Sequence, residues 1–240
     1  MDLGAATEFE FRHRFWLLCS IFGIAFACYR LDHTNSAVAL ARLLAGPHTE
    51  RIDLLVHLVF GAGALVMALC AVVRSWAAAY LASEVVHDTK LHTERLVADG
   101  PYRHLRNPLY LGTLLLALGM GPMASRLGLV VLIVGVPIFT QRLILREEGQ
   151  LLRTQGESYR RYFEAVPRLM PSLRPRVAPG TGHPDWRDGI AGEAFIWGMV
   201  AGSALFAITF RLTWFWASMA AGFAISIWQH RHWRAARSER

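Results

Sequence analysis

Six apolar blocks, separated by short polar or charged stretches, set the pattern of this chain. Phe15–Tyr29 is uncharged. Leu54–Val73 is interrupted only by His57, Leu109–Met123 and Leu127–Gln141 flank Ala124-Ser125-Arg126, and Ala194–Phe210 and Leu212–Trp228 flank Arg211. Apolar runs of this kind read as membrane-spanning helices. The expected fold is therefore all-α: a polytopic helical membrane protein of about six transmembrane helices, with a central helical hairpin made by the third and fourth. Phe15–Tyr29 is short for a span and has the look of a signal-peptide core. No small-x-small cleavage site precedes a mature domain, so it reads as a retained first helix. His57 reads as a core or interfacial residue rather than a ligand.

The polar stretches carry more information than the blocks. Asp99–Gly112 is dense in Gly, Pro, Asn, Tyr and Arg and runs straight into an apolar block. Gly100-Pro101 is a turn signal. Asn107-Pro108 starts a helix, with Asn as N-cap and Pro at the first helical position. The second arm of the hairpin continues without a breaker into Arg142…Arg146-Glu147-Glu148, so this helix emerges from lipid carrying charge. An amphipathic segment, Leu151–Tyr162, follows, then Val166-Pro167-Arg168 and Pro171. Residues 1–175 are expected to form a core whose motifs lie within 85–173. Residues 176–190, rich in Pro and Gly, read as a linker, and 191–240 as a C-terminal hairpin with a basic tail.

Composition agrees: 54% of residues are hydrophobic and the mean hydropathy is +0.31, above the roughly 45–50% apolar content of soluble domains. The formal net charge is +7, and Lys90 is the one lysine. Arginines beside apolar blocks point to lipid headgroups, and no nucleic-acid motif is present. With an inside N-terminus, 20 basic residues fall inside and 5 outside. The positive-inside rule then places both termini, Asp99–Gly112 and Arg142–Pro171 on the cytoplasmic side of a cell or inner membrane. Cys19, Cys28 and Cys70 lie inside apolar blocks with no metal or disulfide spacing and read as buried apolar side chains.

Two polar segments joined by a tight hairpin can build one site at the membrane surface. They offer His87, Glu94, Arg95, Tyr102, Arg103, His104, Arg106, Asn107, Tyr110, Arg142, Arg146, Glu147, Glu148, Tyr159 and Tyr162. No Ser-His-Asp arrangement, metal-ligand pair or Gly-rich phosphate loop is among them. The set suits a charged cofactor. A carboxylate can neutralise an amino group or bind a ribose, tyrosine faces can contact a sulfonium, and arginines can hold a carboxylate.

Gly100-Pro101-Tyr102…Arg106-Asn107-Pro108-Leu109-Tyr110-Leu111-Gly112, a hairpin, then Glu147-Glu148-x-x-Leu151…Gly156-x-x-Tyr159-x-x-Tyr162…Val166-Pro167-Arg168-x-x-Pro171 resembles the isoprenylcysteine carboxyl methyltransferase family. That family is related to the phospholipid methyltransferases. The resemblance covers roughly residues 85–173. It implies a membrane enzyme using S-adenosylmethionine in a cytoplasmic pocket, with the lipophilic or prenylated acceptor entering from the bilayer. Carried over by position, the cofactor contacts are His87, Glu94, Arg95, Leu96, Val97, Tyr102, Asn107, Pro108, Leu109, Tyr110 and Glu147. Asn107 stands where the family commonly has His, so this position keeps a hydrogen-bonding group without a proton-transfer role. Leu143 stands where prenylcysteine enzymes place an acceptor-facing arginine, leaving Arg142 and Arg146 as displaced candidates for gripping a carboxylate.

A carboxylate acceptor is already ionised and needs no general base, whereas an amine must lose a proton, for which Glu148 or His104 are candidates. The leading expectation is carboxyl O-methylation of an isoprenylcysteine-like acceptor. Phospholipid or amine N-methylation, an NADPH-dependent sterol-type reductase, and a non-catalytic membrane scaffold or carrier are the alternatives.

Overall fold

A chain segment in lipid has to satisfy its backbone hydrogen bonds internally, and long apolar runs do so as helices. The computed structural model describes residues 4–87 and 98–238, with side chains for 4–81 and 98–229. These residues form a helical membrane protein with no strand among them. A capping box at Thr7 opens the short α1 (Glu8–Arg12): Glu10 N–H donates to Thr7 Oγ1 at 3.2 Å and Thr7 N–H to Glu10 Oε2 at 2.6 Å. Then follow α2 (Arg14–Ala27), α3 (Ser36–Ala45), α4 (Ile52–His87), α5 (Pro108–Met120), α6 (Arg126–Ala165), α7 (Trp186–Gly192), α8 (Ala194–Thr209) and α9 (Leu212–Ser238).

The expected six apolar helices are unequal. By length and composition, two helices, Thr49–Leu81 and Arg126–Ala165, are long and apolar enough to cross a bilayer, and α7 with α8, bent by 61°, makes a third. The 14 residues of α2 and 13 of α5 reach only about 20 Å at 1.5 Å per residue, short of a hydrocarbon core of about 30 Å. The hairpin is lopsided because Gly121-Pro122 ends α5 in a 3₁₀ turn. By contrast, Ser125 caps α6 through Gly128 N–H at 3.1 Å, and the helix runs on through Pro137 as far as Gly156, where φ is +55° and the helix axis is interrupted.

At the turn end, Asn35 Nδ2 donates to Pro122 O at 3.0 Å, Tyr29 Oη to Met123 O at 2.9 Å, and Arg126 pairs with Asp32 at 3.0 Å. All the charged segments from Arg142 to Arg168, together with residues 98–107, gather at the opposite end. Packing is closest where side chains are smallest. A Cβ on Gly198 would stand 2.6 Å from Ser218 O in α9, and one on Gly189 would stand 2.6 Å from Ser75 O in α4. Cys28 and Cys70 are buried as expected, whereas Cys19 is exposed. His57 is an inter-helix partner: its Nδ1 lies 2.5 Å from Ala207 O and its ring stacks on Phe210 at 4.0 Å. The stretch expected as a linker is tied down. Gly180 and Gly182 N–H donate to the buried Asp99 carboxylate at 2.6 and 2.9 Å, and Asp185 N–H to Ala79 O at 2.9 Å.

Candidate active site

The turn before α5 is shaped by one glycine. Gly100 has φ +56°, and a Cβ there would meet the Tyr80 ring at 2.3 Å, so no other residue fits. The 3₁₀ turn Gly100–Arg103 buries Pro101 and Tyr102, and Tyr102 O accepts the Tyr162 hydroxyl at 2.8 Å. His104 contacts the following strap: its Nδ1 lies 2.7 Å from Ser172 O, and its carbonyl accepts Ser172 N–H at 3.0 Å. The two sequence motifs therefore meet as backbone and side chain, end to end.

Their junction is Glu148, 3% exposed. Oε1 accepts from Arg106 Nε at 2.9 Å and Asn107 Nδ2 at 3.0 Å, and Oε2 from Arg168 Nε at 3.0 Å, with Arg168 Nη2 2.9 Å from Oε2 as an ion-pair contact. Arg106 also donates to Phe163 O and, at 2.6 Å, to Val166 O, and lies 4.0 Å over the Phe163 ring. Asn107 does precede the first residue of α5, but its side chain does not cap the helix. It is turned to Glu148 and, at 3.2 Å, to Arg168 O. The first N–H groups of α5 are thereby left without a side-chain cap at an end that favours negative charge.

One cavity of about 1380 Å³ starts here. It runs between α2 and α6 on one side and α5, α8 and α9 on the other. Its polar end is lined by Tyr102, Arg106, Asn107, Tyr110, Glu147 and Glu148; its apolar limb includes Phe22, Leu116, Met120, Met199, Phe206 and Phe215. Tyr110 Oη donates to Glu147 Oε2 at 3.0 Å.

Of the residues picked out from the sequence, Tyr102, Asn107, Pro108, Leu109, Tyr110, Glu147 and Glu148 line this cavity. Arg142 and Arg146 do not: they face the N-terminal segment. Arg142 pairs with Glu10 at 2.8 Å, while Arg146 donates to Ala6 O at 3.1 Å and lies 5.5 Å over the Phe11 ring. His87 ends α4, its side chain outside those described, and Glu94, Arg95, Leu96 and Val97 lie outside the described residues.

Arg74, Glu193 and Gln155 line the cavity without any motif to announce them. Arg74 Nε and Nη2 donate to the two oxygens of Glu193 at 2.7 and 2.9 Å. Arg74 follows directly on the apolar block that ends at Val73, a place where a charge is ordinary. Gln155 Oε1 is buried with no hydrogen-bond partner.

These features fit S-adenosylmethionine. A buried acceptor without a donor suits a hydroxyl or amine, Glu147 suits an amino group, and the uncapped start of α5 suits a carboxylate. Tyr102 and Tyr159, which also line the cavity, suit contact with a cationic or aromatic group.

Comparison with known proteins agrees with this chemistry. The family model for phospholipid methyltransferase matches residues 56–157, and the match supports a membrane methyltransferase. The cobalt-zinc-cadmium resistance protein CzcN of Cupriavidus metallidurans is 28% identical over 111 residues, 46% of this chain and 48% of that protein. The chain thus spans about half the length of this relative. No solved structure matches.

Proposed function

We propose that the protein is an S-adenosylmethionine-dependent methyltransferase acting at the membrane on a lipophilic acceptor that presents a carboxylate, of the isoprenylcysteine type. The observation that carries this reading is the continuous cavity of about 1380 Å³, polar at one end and apolar along its limb. It exceeds the roughly 300–1,000 Å³ of a pocket for one small molecule, which suits a polar cofactor and an apolar-tailed acceptor held together. The charge asymmetry supports a cytoplasmic polar end.

When bound, the cofactor supplies an electrophilic methyl group on a sulfonium. The chain's own residues orient and exclude. Glu147, held by Tyr110, would take the amino group; Gln155 and the first N–H groups of α5 would take the ribose and carboxylate; Tyr102 and Tyr159 line the polar end. A carboxylate acceptor would already be ionised, so these residues would have to hold and align it but not remove a proton from it. Alignment alone can contribute several kcal/mol, and a site walled by the saturated Glu148 web needs no base.

N-methylation of an amine headgroup is the second reading, favoured by the family description phospholipid methyltransferase. Calorimetry of the purified protein with S-adenosylmethionine tests the cofactor; absence of binding, or binding of NADPH in its place, ends the methyltransferase reading. Labelled S-adenosylmethionine with a total lipid extract, followed by base, separates the acceptors. Base-labile label means ester, and base-stable label means N-methylation.

A further inference from the structure

Arg74 and Glu193 are far apart in sequence and meet inside the molecule, both lining the cavity. Their side chains are 24% and 11% exposed. Intramembrane ion pairs are costly and mark functional positions. Three observations locate this one at the border between the cavity's polar end and its apolar limb. Arg74 Nη1 reaches Leu109 O, at the start of α5, with a long 3.4 Å contact. The Arg74 stem lies across Gly112, where a Cβ would be 2.3 Å from Arg74 Cγ. Glu193 sits at the 61° bend between α7 and α8, immediately before the apolar wall formed by Phe195, Ile196 and Met199.

The guanidinium is therefore used unevenly. Glu193 takes the Nε–Nη2 edge in a bidentate pair, and among the described residues Nη1 makes one hydrogen bond, the long one to a carbonyl. A planar fork with one edge fixed and the other lightly held is preorganised for a second carboxylate.

We propose that Arg74 is the acceptor-binding residue: its Nη1 edge holds the carboxylate head of a long-chain acceptor whose tail lies along α8 and α9, and Glu193 is the positioning residue that fixes the fork. The proposal rests on the methyltransferase reading for its reaction but not for its binding chemistry. With the cofactor's sulfonium present, Arg74, Glu193, the acceptor carboxylate and the sulfonium balance in charge. Methyl transfer removes one charge of each sign, so the neutral ester loses its hold on Arg74 while the Arg74–Glu193 pair persists.

Palmitate and hexadecylamine, equal in chain length and opposite in head charge, serve as probes. Equilibrium binding of each to the full-length protein in nanodiscs, with empty discs subtracted, is compared for wild type, Arg74→Gln and Glu193→Gln. S-adenosylmethionine affinity is measured alongside. Wild type is expected to prefer palmitate. Arg74→Gln should weaken palmitate about tenfold or more without weakening hexadecylamine. Glu193→Gln keeps an acceptor oxygen to hold the fork while removing the negative charge beside the head, and should tighten palmitate relative to hexadecylamine. A wild-type preference for hexadecylamine overturns the assignment, as does a Glu193→Gln protein with an unchanged or reversed preference. Glu193→Gln decides alone if Arg74→Gln does not fold. Palmitate preference without S-adenosylmethionine binding supports this site while ending the methyltransferase reading; cofactor binding without that preference does the reverse.

Discussion

Glu148 and Glu193 are both buried carboxylates paired with arginine on the wall of one cavity, and they are built differently. Glu148 accepts three hydrogen bonds, one each from Arg106, Asn107 and Arg168, and Arg168 Nη2 stands 2.9 Å from the same Oε2 as an ion-pair contact. Three of the roughly four lone-pair sites of a carboxylate are taken and the group is 3% exposed, so it is committed to these partners. Glu193 receives both its donors from Arg74 alone, and that arginine keeps a lightly used edge. The saturated web fastens the Val166–Pro171 strap and the turn before α5 to α6; it holds walls in place. The unsaturated pair stands where a ligand's head would sit. Proximity to a cavity does not separate scaffold from binding group; the count of satisfied valences does.

The strongest way to break this contrast is Glu148→Ala. It strands Arg106 and Arg168 without their shared counter-ion, a change that typically costs about 3–5 kcal/mol for a buried pair. The expected result is a large drop in the thermal unfolding midpoint in detergent, with cofactor binding lost because the fold is lost. A variant that unfolds within about 0.5 kcal/mol of wild type would show the web to be dispensable.

Gly112→Ala acts on the other side of the contrast. Its new Cβ would stand 2.3 Å from Arg74 Cγ, so Arg74 must move and its Nη1 edge leaves its place. Overpacking of this kind costs about 1–3 kcal/mol. Stability should fall less than in Glu148→Ala, while palmitate affinity falls as it does in Arg74→Gln. Unchanged palmitate binding would mean that Arg74 does not need its present path across α5.

Much of the saturated web was legible in the sequence and almost none of the unsaturated pair. Asn107-Pro108 announces a helix start by local sterics, and Glu147-Glu148 stands out because charge rarely continues an apolar helix. Charge counting put the two motifs on one side before their contacts were known, and residues 99–107 and 147–168 do meet at one end. The direction of the Asn107 side chain was not legible: a cap and an inter-segment bond suit the same residue, and only packing decides between them. Arg74 and Glu193 lie at the edges of apolar blocks, where a charge reads as an ordinary boundary. Their pairing depends on the bend between α7 and α8, which no short-range signal specifies. Arg142 and Arg146 were drawn toward the site by their nearness to Glu147 in sequence, but a helix turns about 100° per residue, and these two face Glu10 and Ala6 instead.

Tyr110→Phe sharpens the contrast at a third acid. Glu147 accepts the Tyr110 hydroxyl at 3.0 Å. Deleting it removes one bond to a charged group while leaving the Glu148 web whole. Such a bond is worth about 1.5–3 kcal/mol, so S-adenosylmethionine affinity by calorimetry should weaken by about tenfold or more. The unfolding midpoint should hardly move. A shift in the midpoint with unchanged affinity would place Glu147 with the scaffold.

The smallest effect belongs to the partly exposed pair between Glu10 of the N-terminal segment and Arg142. Glu10 bonds Arg142 at 2.8 Å, with side chains 26% and 28% exposed. The Arg142 hydrogen bond, then the Thr7 backbone N–H, hold the Glu10 carboxyl down at about 2 from an ordinary 4.5. A carboxyl depressed in the folded state contributes fully above its unfolded value and loses that contribution as pH falls through its folded value. The stabilisation should therefore be complete above about pH 4.5 and fade toward about pH 2. Partly exposed pairs are screened, so the loss should amount to about 1 kcal/mol or less. Wild type minus Glu10→Gln, followed by unfolding across that window, isolates the contribution, because the other carboxylates titrate in both proteins. A difference that persists unchanged to pH 2 would show that Glu10 acts through its hydrogen bonds to Thr7 and not through its charge. A difference as large as that of Glu148→Ala would mean that valence saturation, rather than burial alone, has been overvalued as the mark of scaffold.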